Sequence, residues 1–106
     1  MFKETDIAWL AGLMEGEGSF FPEKKSGRTK RIATMVVTMS DPDVIQRVAD
    51  MMDTKMNGPM WSNKSTIPLY RARVRGTKAL ALMQLILPYM GERRSAKILE
   101  LMEMFK

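Results

Sequence analysis

The sequence predicts an α+β domain in which helices pack on one side of an antiparallel β-sheet. Segments with the apolar spacing of helices alternate with pairs of short segments typical of β-hairpins, which gives the element order αββαββαα. In these short segments apolar residues tend to occupy every second position, as expected for strands with one buried and one exposed face. A chain of 106 residues is long enough for one core of ordinary size, so residues 1–106 are expected to form a single domain.

Four helices are predicted from apolar periodicity and capping residues, at about residues 6–15, 42–52, 78–87 and 95–105. Thr5 and Asp6 are suitable N-caps for the first helix, and Gly16 and Gly18 are expected to end it. Asp41, which precedes a proline, is the expected cap of the second helix.

Four strands are predicted at about residues 19–25, 31–40, 60–63 and 69–75, with a polar and basic link between the first two. In the last strand Arg71, Arg73 and Arg75 alternate with residues that can face a core. In the first hairpin Thr34 and Thr38 lie opposite an apolar face. The sheet is therefore expected to have one strongly basic, solvent-exposed face, whereas Trp61 and Tyr70 are expected to lie in the core.

This basic face predicts an anionic partner, because aligned arginines repel one another unless an anion lies across them. The chain carries 17 Lys and Arg against 12 Asp and Glu, a formal charge of +5 and a pI near 9.7, which also favours nucleic acid. A solvated basic face is the alternative. The side chains predicted to contact double-stranded DNA are Lys24, Lys25, Arg28, Lys30, Arg31, Thr34, Thr38, Arg71, Arg73 and Arg75.

The absence of cysteine and histidine excludes disulfides, thiolate nucleophiles, imidazole bases and ordinary zinc sites. Any catalysis must use carboxylates, lysine, tyrosine or hydroxyl groups. No apolar run approaches the roughly 20 residues that span a bilayer, and the first residues do not resemble a signal peptide. We therefore expect a soluble, intracellular, cytoplasmic protein without a membrane partner.

A specific motif lies in the first helix, where residues 10–18 read LAGLMEGEG and are followed by Ser19, Phe20 and Phe21. This segment resembles the LAGLIDADG motif of homing endonucleases and related intron maturases. Residues 10–13 and 18 are identical to the motif, and Glu15 and Glu17 replace its aspartates. The resemblance implies an αββαββα(α) domain of the LAGLIDADG homing-endonuclease type, with an antiparallel β saddle that holds duplex DNA.

The same helix carries a stripe of small residues, because Ala8, Gly12 and Gly16 recur every four positions. Two such helices could pack with their backbones close together. Packing within the chain is the ordinary interpretation of such a stripe. The resemblance instead implies a homodimer, since single-motif members of the family pair through this helix, and the interface would then include Ala8, Gly12, Leu13 and Gly16.

The resemblance also implies a metal site, because the last acidic residue of the motif binds the metal in the family and corresponds here to Glu17. Glu17, with Gly16 beside it, would hold Mg²⁺ or Mn²⁺, and Glu17 would be the catalytic residue. A two-fold axis would bring two such carboxylates together, and a divalent cation could neutralise them. A solvated helix end with two glutamates is the alternative.

The family typically has a lysine near the start of the last helix, where this sequence has Arg93 and Arg94. We therefore interpret both arginines as phosphate contacts at most, and a solvated helix start is the alternative. The predicted function is Mg²⁺-dependent phosphodiester hydrolysis in double-stranded DNA by a homodimer. Two alternatives remain open: a DNA-binding protein or transcriptional regulator that does not cleave, and an RNA-binding, maturase-like splicing cofactor.

Overall fold

The computed structural model describes residues 2–25, 27, 29–64 and 66–106. It confirms the α+β class and the predicted order of helices and strands, with one short 3-10 turn at Leu87–Tyr89 before the last helix. The elements are α1 Glu4–Glu17, β1 Gly18–Lys24, β2 Arg31–Met39, α2 Pro42–Met52, β3 Asn57–Met60, β4 Leu69–Arg75, α3 Gly76–Ile86 and α4 Glu92–Met104. None of the helices in the described residues has the length and apolar character needed to cross a membrane.

The strands form one four-stranded sheet in the order β1-β2-β4-β3, and all neighbouring strands are antiparallel. Helices cover one face of this sheet and bury the residues that alternate toward it. The strand residues buried in this core are Phe20, Ala33, Met35, Val37, Ala72 and Val74. They pack with apolar residues of all four helices. No helix of the described residues covers the other face of the sheet, so its side chains form an outer face.

Three helices begin earlier than predicted, and α3, which starts at Gly76, does so by two residues. α1 starts at Glu4, so that Lys3 is its N-cap residue, and neither Lys3 nor Asp41, the N-cap residue of α2, forms a side-chain capping hydrogen bond. Glu4 and Asp6 instead place negative charge in the first turn of α1, where the helix dipole favours it. α4 starts at Glu92, three residues before its predicted start. Acidic residues that follow an uncapped N-terminus therefore lengthen both α1 and α4.

The third strand was predicted three residues too late. β3 covers Asn57–Met60 and pairs with β4 through Asn57 opposite Arg71 and Met60 opposite Leu69, with an irregular register between them. β3 lies at the edge of the sheet, where a proline is tolerated because one side of the strand forms no ladder hydrogen bonds. As a result Trp61 lies in the loop after β3 and is 64% exposed, so its predicted place in the core is wrong. Tyr70 is half-buried and packs against the core, as predicted.

The first helix passes into the first strand without a loop, because α1 ends at Glu17 and β1 begins at Gly18. Gly18 is buried, its backbone is extended, and its N–H donates to the Met14 carbonyl. A Cβ atom at Gly18 would overlap the Met14 side chain. Only glycine allows this close approach of strand and helix, and the last carboxylate of the helix therefore lies directly beside the start of the sheet.

Candidate nucleic-acid interface

The outer face of the sheet presents a row of arginines, as the alternation in β4 predicts. In the register, Arg71, Arg73 and Arg75 lie opposite Thr38, Val36 and Thr34 of β2. The side chains of Arg73 and Arg75 are 36% and 42% exposed. The guanidinium of Arg71 is positioned by its Nε–H, which donates to Thr38 Oγ1 at 3.2 Å. Three cationic side chains of one strand therefore reach the uncovered face.

A carboxylate lies on the same face, which was not expected from the sequence. Glu23 of β1 reaches across β2, and its Oε2 is 2.7 Å from the Arg75 guanidinium. Its Oε1 is 3.9 Å from Arg73 and accepts a hydrogen bond from the Thr34 hydroxyl at 3.4 Å. The expected repulsion between the arginines is thus partly relieved within the chain. Strand alternation could have placed Glu23 on this face, but the distance to β4 required the strand order.

Thr34 points to the outer face but is fully buried, because its hydroxyl lies beneath the ion pair of Glu23 and Arg75. The Ile32 carbonyl is 3.3 Å from the same hydroxyl, so two acceptors share its one proton. We therefore leave Thr34 out of the surface that can contact a ligand. Thr38 is half-buried and its hydroxyl positions Arg71.

Basic residues extend this face in two directions. At one end of the first hairpin Lys24, Lys25, Lys30 and Arg31 are exposed, whereas Arg28 lies outside the described residues. At the edge of β4 a groove is lined by Arg73, Arg75 and three residues that the sequence analysis did not select, Lys55, Asn57 and Lys78. Lys78 Nζ donates to the Asp53 carbonyl at 2.7 Å. These three residues lie between elements or at their ends, so no periodicity pointed to them.

The two glutamates at the end of α1 have different surroundings. The Glu15 carboxylate accepts a hydrogen bond from the Gly91 backbone N–H at 2.6 Å and lies 3.9 Å from Arg94 Nε. Glu15 thereby connects the end of α1 to the start of α4. Glu17 is exposed, and no side chain in the described residues forms an ion pair or hydrogen bond with it. Of the two, Glu17 is the carboxylate that is free to bind a ligand.

The two arginines at the start of α4 also differ. Arg93 is exposed, whereas the Arg94 side chain is only 14% exposed. The Arg94 guanidinium lies 6.0 Å from the centroid of the Phe20 ring and is held beside Glu15. Arg94 therefore joins α4 to α1 and β1 rather than forming the solvated helix start that was the alternative. Arg93, Arg94 and Lys97 line a shallow groove between β1 and α4.

The small-residue stripe of α1 has no packing partner within the described part of the chain. Gly12 and Gly16 are exposed, and a Cβ atom built on either would meet nothing within 4 Å. Ala8 is also exposed, and Leu13 is half-buried. Packing of this stripe inside the domain, the ordinary interpretation of such a pattern, is therefore wrong. Within the described part of one chain, no three His, Cys, Asp or Glu side chains are grouped closely enough to hold a metal ion.

The chain has the fold of the LAGLIDADG homing endonucleases. Its structure is similar to that of the homing endonuclease I-CvuI in complex with its target in the presence of calcium, with a TM-score of 0.77 and 15% sequence identity. The match covers 96% of this chain and 66% of that chain, so this chain spans about two thirds of the length of I-CvuI.

Two further structures extend the comparison. An archaeal intron-encoded homing endonuclease complexed with DNA matches with a TM-score of 0.72 at 15% identity, over 96% of this chain and 67% of that chain. The I-SmaMI LAGLIDADG homing endonuclease bound to cleaved DNA matches with a TM-score of 0.62 at 15% identity, over 87% of this chain and 33% of that chain. No protein-family model and no curated protein matches the sequence.

The different surroundings of the two glutamates generate a prediction about stability. Glu15→Ala should lower the free energy of unfolding by about 1–2 kcal/mol, because it removes the hydrogen-bond acceptor of the Gly91 N–H and the ion-pair partner of the mostly buried Arg94 guanidinium. Chemical denaturation measures this loss. Glu100→Ala, which removes an exposed pair with Lys97 on α4, is the matched control and should change stability by less than about 0.5 kcal/mol. Equal stability of the two variants would contradict the structural role of Glu15.

Proposed function

We propose that this chain binds double-stranded DNA as a homodimer and hydrolyses phosphodiester bonds in a reaction that requires Mg²⁺ or Mn²⁺. The observation that carries the proposal is the uncovered sheet face with its row of arginines, on a fold shared with endonucleases whose structures contain DNA. Side chains two residues apart on a strand are separated by roughly 7 Å, so Arg71, Arg73 and Arg75 can follow a groove or a backbone over roughly 14 Å.

Affinity for DNA would come mainly from phosphate contacts. A duplex carries one negative charge per roughly 1.7 Å of its axis, and cations that neutralise its phosphates release condensed counterions. The hairpin tip with Lys24, Lys25, Lys30 and Arg31 extends beyond the Thr34–Arg75 end of the paired strands, and the basic groove with Lys55 and Lys78 flanks β4. We therefore propose that these lysines, Arg31 and Arg71 hold the duplex backbone, while the other arginines of β4 reach base edges.

Homodimer formation would use the stripe of α1. Gly12 and Gly16 are exposed, and a Cβ atom on either would meet nothing within 4 Å among the described residues, so a second copy of the helix can approach the backbone closely. Two-fold pairing along this stripe would bring the Glu17 carboxylates of both copies toward each other, since Glu17 directly follows Gly16. The same pairing would place two outer faces side by side and so allow a binding site of two half-sites.

The oxygen atoms at the end of α1 suit a hard divalent cation. Glu17 supplies an exposed carboxylate that has no partner among the described residues, and Gly16 lies in the last turn, whose backbone carbonyls have no donor within the helix. Carboxylate and carbonyl oxygens are ligands that Mg²⁺ accepts. When bound, the ion would activate water and stabilise the negative charge that develops on the phosphate. Glu17 would hold it at the start of the sheet, beside the DNA-binding face.

A DNA-binding protein or regulator that does not cleave is the second candidate function. The observation that favours it is the position of Arg94. Of the two arginines at the start of α4, Arg94 is the one that is mostly buried near the end of α1. Its guanidinium is held by Glu15 and Phe20 and is therefore engaged within the fold. Incubation with a library of duplexes and Mg²⁺, followed by sequencing of retained and cleaved molecules, separates the two functions.

The first prediction from this proposal concerns the outer face. Arg71→Gln should weaken binding to a mixed-sequence duplex and reduce the slope of log K against log salt by about one, because one phosphate contact or a nearby positive charge is lost. Arg47→Gln is the control with the same change of charge, since Arg47 lies on α2 with its guanidinium 3.8 Å from the centroid of the Trp9 ring. Its affinity and salt slope should stay close to the unmodified protein. If both variants bind alike, the sheet face is not the DNA-binding surface.

The second prediction concerns assembly. Gly12→Leu should fold normally, because the structure leaves open space around Gly12, and should be monomeric because the new side chain occupies the volume needed by the second helix. Light scattering and thermal unfolding measure both properties. Ala81→Leu, a similar enlargement at an exposed position of α3, should remain a dimer. A dimeric Gly12→Leu variant would show that the helices do not pair along this stripe.

The third prediction separates the two candidate functions. Glu17→Gln should abolish cleavage in Mg²⁺ or Mn²⁺ while DNA binding and dimerisation persist, and thermal stability should hold or rise slightly because a negative charge leaves the negative end of α1. Glu4→Gln, at the opposite end of the same helix, should cleave normally. Ca²⁺ provides a further condition, since it occupies oxygen sites and should support binding without efficient hydrolysis. If the unmodified protein binds a defined duplex tightly but never cuts it, the catalytic proposal is wrong and the non-cleaving regulator takes its place.

A further inference from the structure

The outer face contains one acidic side chain among its arginines, and this carboxylate works against binding to phosphate. Glu23 is 23% exposed, so it is accessible from the side on which the proposed function places DNA. A phosphate that approaches Arg75 meets the Glu23 carboxylate, whose Oε2 is 2.7 Å from the same guanidinium. Repulsion between two anions that share a guanidinium lowers the affinity of this part of the face for a DNA backbone.

The pair is also held in one arrangement. Glu23 Oε1 accepts from the Thr34 hydroxyl at 3.4 Å, and Thr34 is fully buried between the strands of the two charged residues. Arg73 NH1 lies 3.9 Å from the same oxygen. A carboxylate has about four acceptor sites, and a guanidinium has five N–H donors in a planar fork. Both groups therefore keep free hydrogen-bonding capacity toward solvent after they have bound each other.

The chemistry of this pair matches the major-groove edge of a single G·C base pair. Guanine presents its O6 and N7 atoms as acceptors, and cytosine presents its N4 amino group as a donor. Arginine binds guanine in this way most often, and a glutamate can accept from cytosine N4. In the base pair, O6 and N4 are themselves joined by a hydrogen bond. A guanidinium and a carboxylate that lie side by side can therefore face the base pair together. The guanidinium donates to guanine O6 and N7, and the carboxylate accepts from the neighbouring cytosine N4.

We propose that Glu23 is a specificity-determining residue, which holds the Arg75 guanidinium for guanine, accepts a hydrogen bond from the cytosine amino group of the same base pair, and disfavours non-specific backbone binding. The inference rests on the proposed binding of duplex DNA to the outer face. It does not depend on cleavage. A purely structural ion pair between β1 and β4 would stabilise the sheet but would leave base preference unchanged.

The test starts from duplexes that the unmodified protein selects from a random pool in Ca²⁺, a condition chosen to prevent cleavage. Each base pair of the best duplex is then replaced in turn and the affinity of the protein is measured. One G·C pair in each half-site should bind about tenfold better than the replacements. In Glu23→Gln this preference should relax to about twofold, affinity for mixed-sequence duplexes should rise several-fold, and the salt slope should steepen by about one as Arg75 becomes free for phosphate.

Glu103→Gln is the matched control. It removes the same charge from an ion pair, because Glu103 lies 3.6 Å from Lys106 at the end of α4, away from the sheet. This variant should keep the base preference and should raise non-specific affinity only slightly. Glu23→Asp keeps the charge but shortens the side chain, and it should relax the same preference without a gain in non-specific affinity. Thermal unfolding of all variants reports any general loss of structure.

Arg75→Gln provides the decisive comparison, since the inference requires that Arg75 and Glu23 contact the same base pair. Both single variants should lose discrimination at the same position, and the double variant should lose little more than either. The inference is overturned if the two single variants lose discrimination at different positions, if their losses add independently in the double variant, or if Glu23→Gln behaves like Glu103→Gln. In each of these outcomes the proposal that the protein binds DNA still stands. If the unmodified protein binds every duplex equally, Glu23 reads no base, and if it binds none, the proposed function fails as well.

Discussion

Burial of the sheet on one face only is the constraint on which the rest of this structure depends. Side chains of a strand alternate between two faces, so a helix layer on one side requires apolar residues at every second position and leaves the other positions free. In β4, Ala72 and Val74 are buried while Arg73 and Arg75 reach solvent. The basic face is thus a direct consequence of how this sheet obtains its core, and the helices cannot cover it.

The junction between α1 and β1 connects that face to the end of the helix. Because Gly18 lies against Met14 and no loop separates the two elements, the last turn of α1 has a fixed position relative to the sheet. Glu15 turns toward α4 and receives the Gly91 N–H, which holds the helix in place from the other side. Glu17, two residues later, stays exposed. Residues two positions apart do not share a face of a helix. The side chains of Glu15 and Glu17 therefore point in different directions and have different surroundings.

Periodicity was sufficient to predict the fold class, the order of the elements and the alternation of β4, because these depend on local patterns that burial enforces. The bounds of α2 and β4 agree with the prediction for the same reason. The errors concern contacts between distant segments. Trp61 was predicted to lie in the core, within a strand expected to begin at Met60, whereas β3 ends at Met60, opposite Leu69. Local propensity cannot show which edge a short strand will join.

The candidate site was predictable to the same extent. The positions of Glu17 and of the β4 arginines follow from one helix and one strand. By contrast, the roles of Glu15 and Arg94 require α4 to meet the end of α1. Glu15 contacts Gly91 at 2.6 Å and Arg94 at 3.9 Å, although these residues follow it in the sequence by 76 and 79 positions. The same limit applies to Thr34, whose burial depends on a carboxylate of β1 that reaches over it to β4. Chain connectivity alone does not specify such contacts.

The charge of the chain and the charge of its outer face act at different distances. A net charge of +5 attracts a duplex over lengths of roughly 10 Å at ordinary ionic strength. This attraction does not depend on which guanidinium groups form ion pairs within the chain. At contact distance the arrangement matters more, because Glu23 would compete with a phosphate for Arg75, whereas among the described residues Arg71 is held by the neutral Thr38 hydroxyl. Within one strand, Arg71 is therefore better suited to a phosphate and Arg75 to a base edge. An acidic residue placed among basic ones can in this way make an attractive surface selective without reversing the attraction.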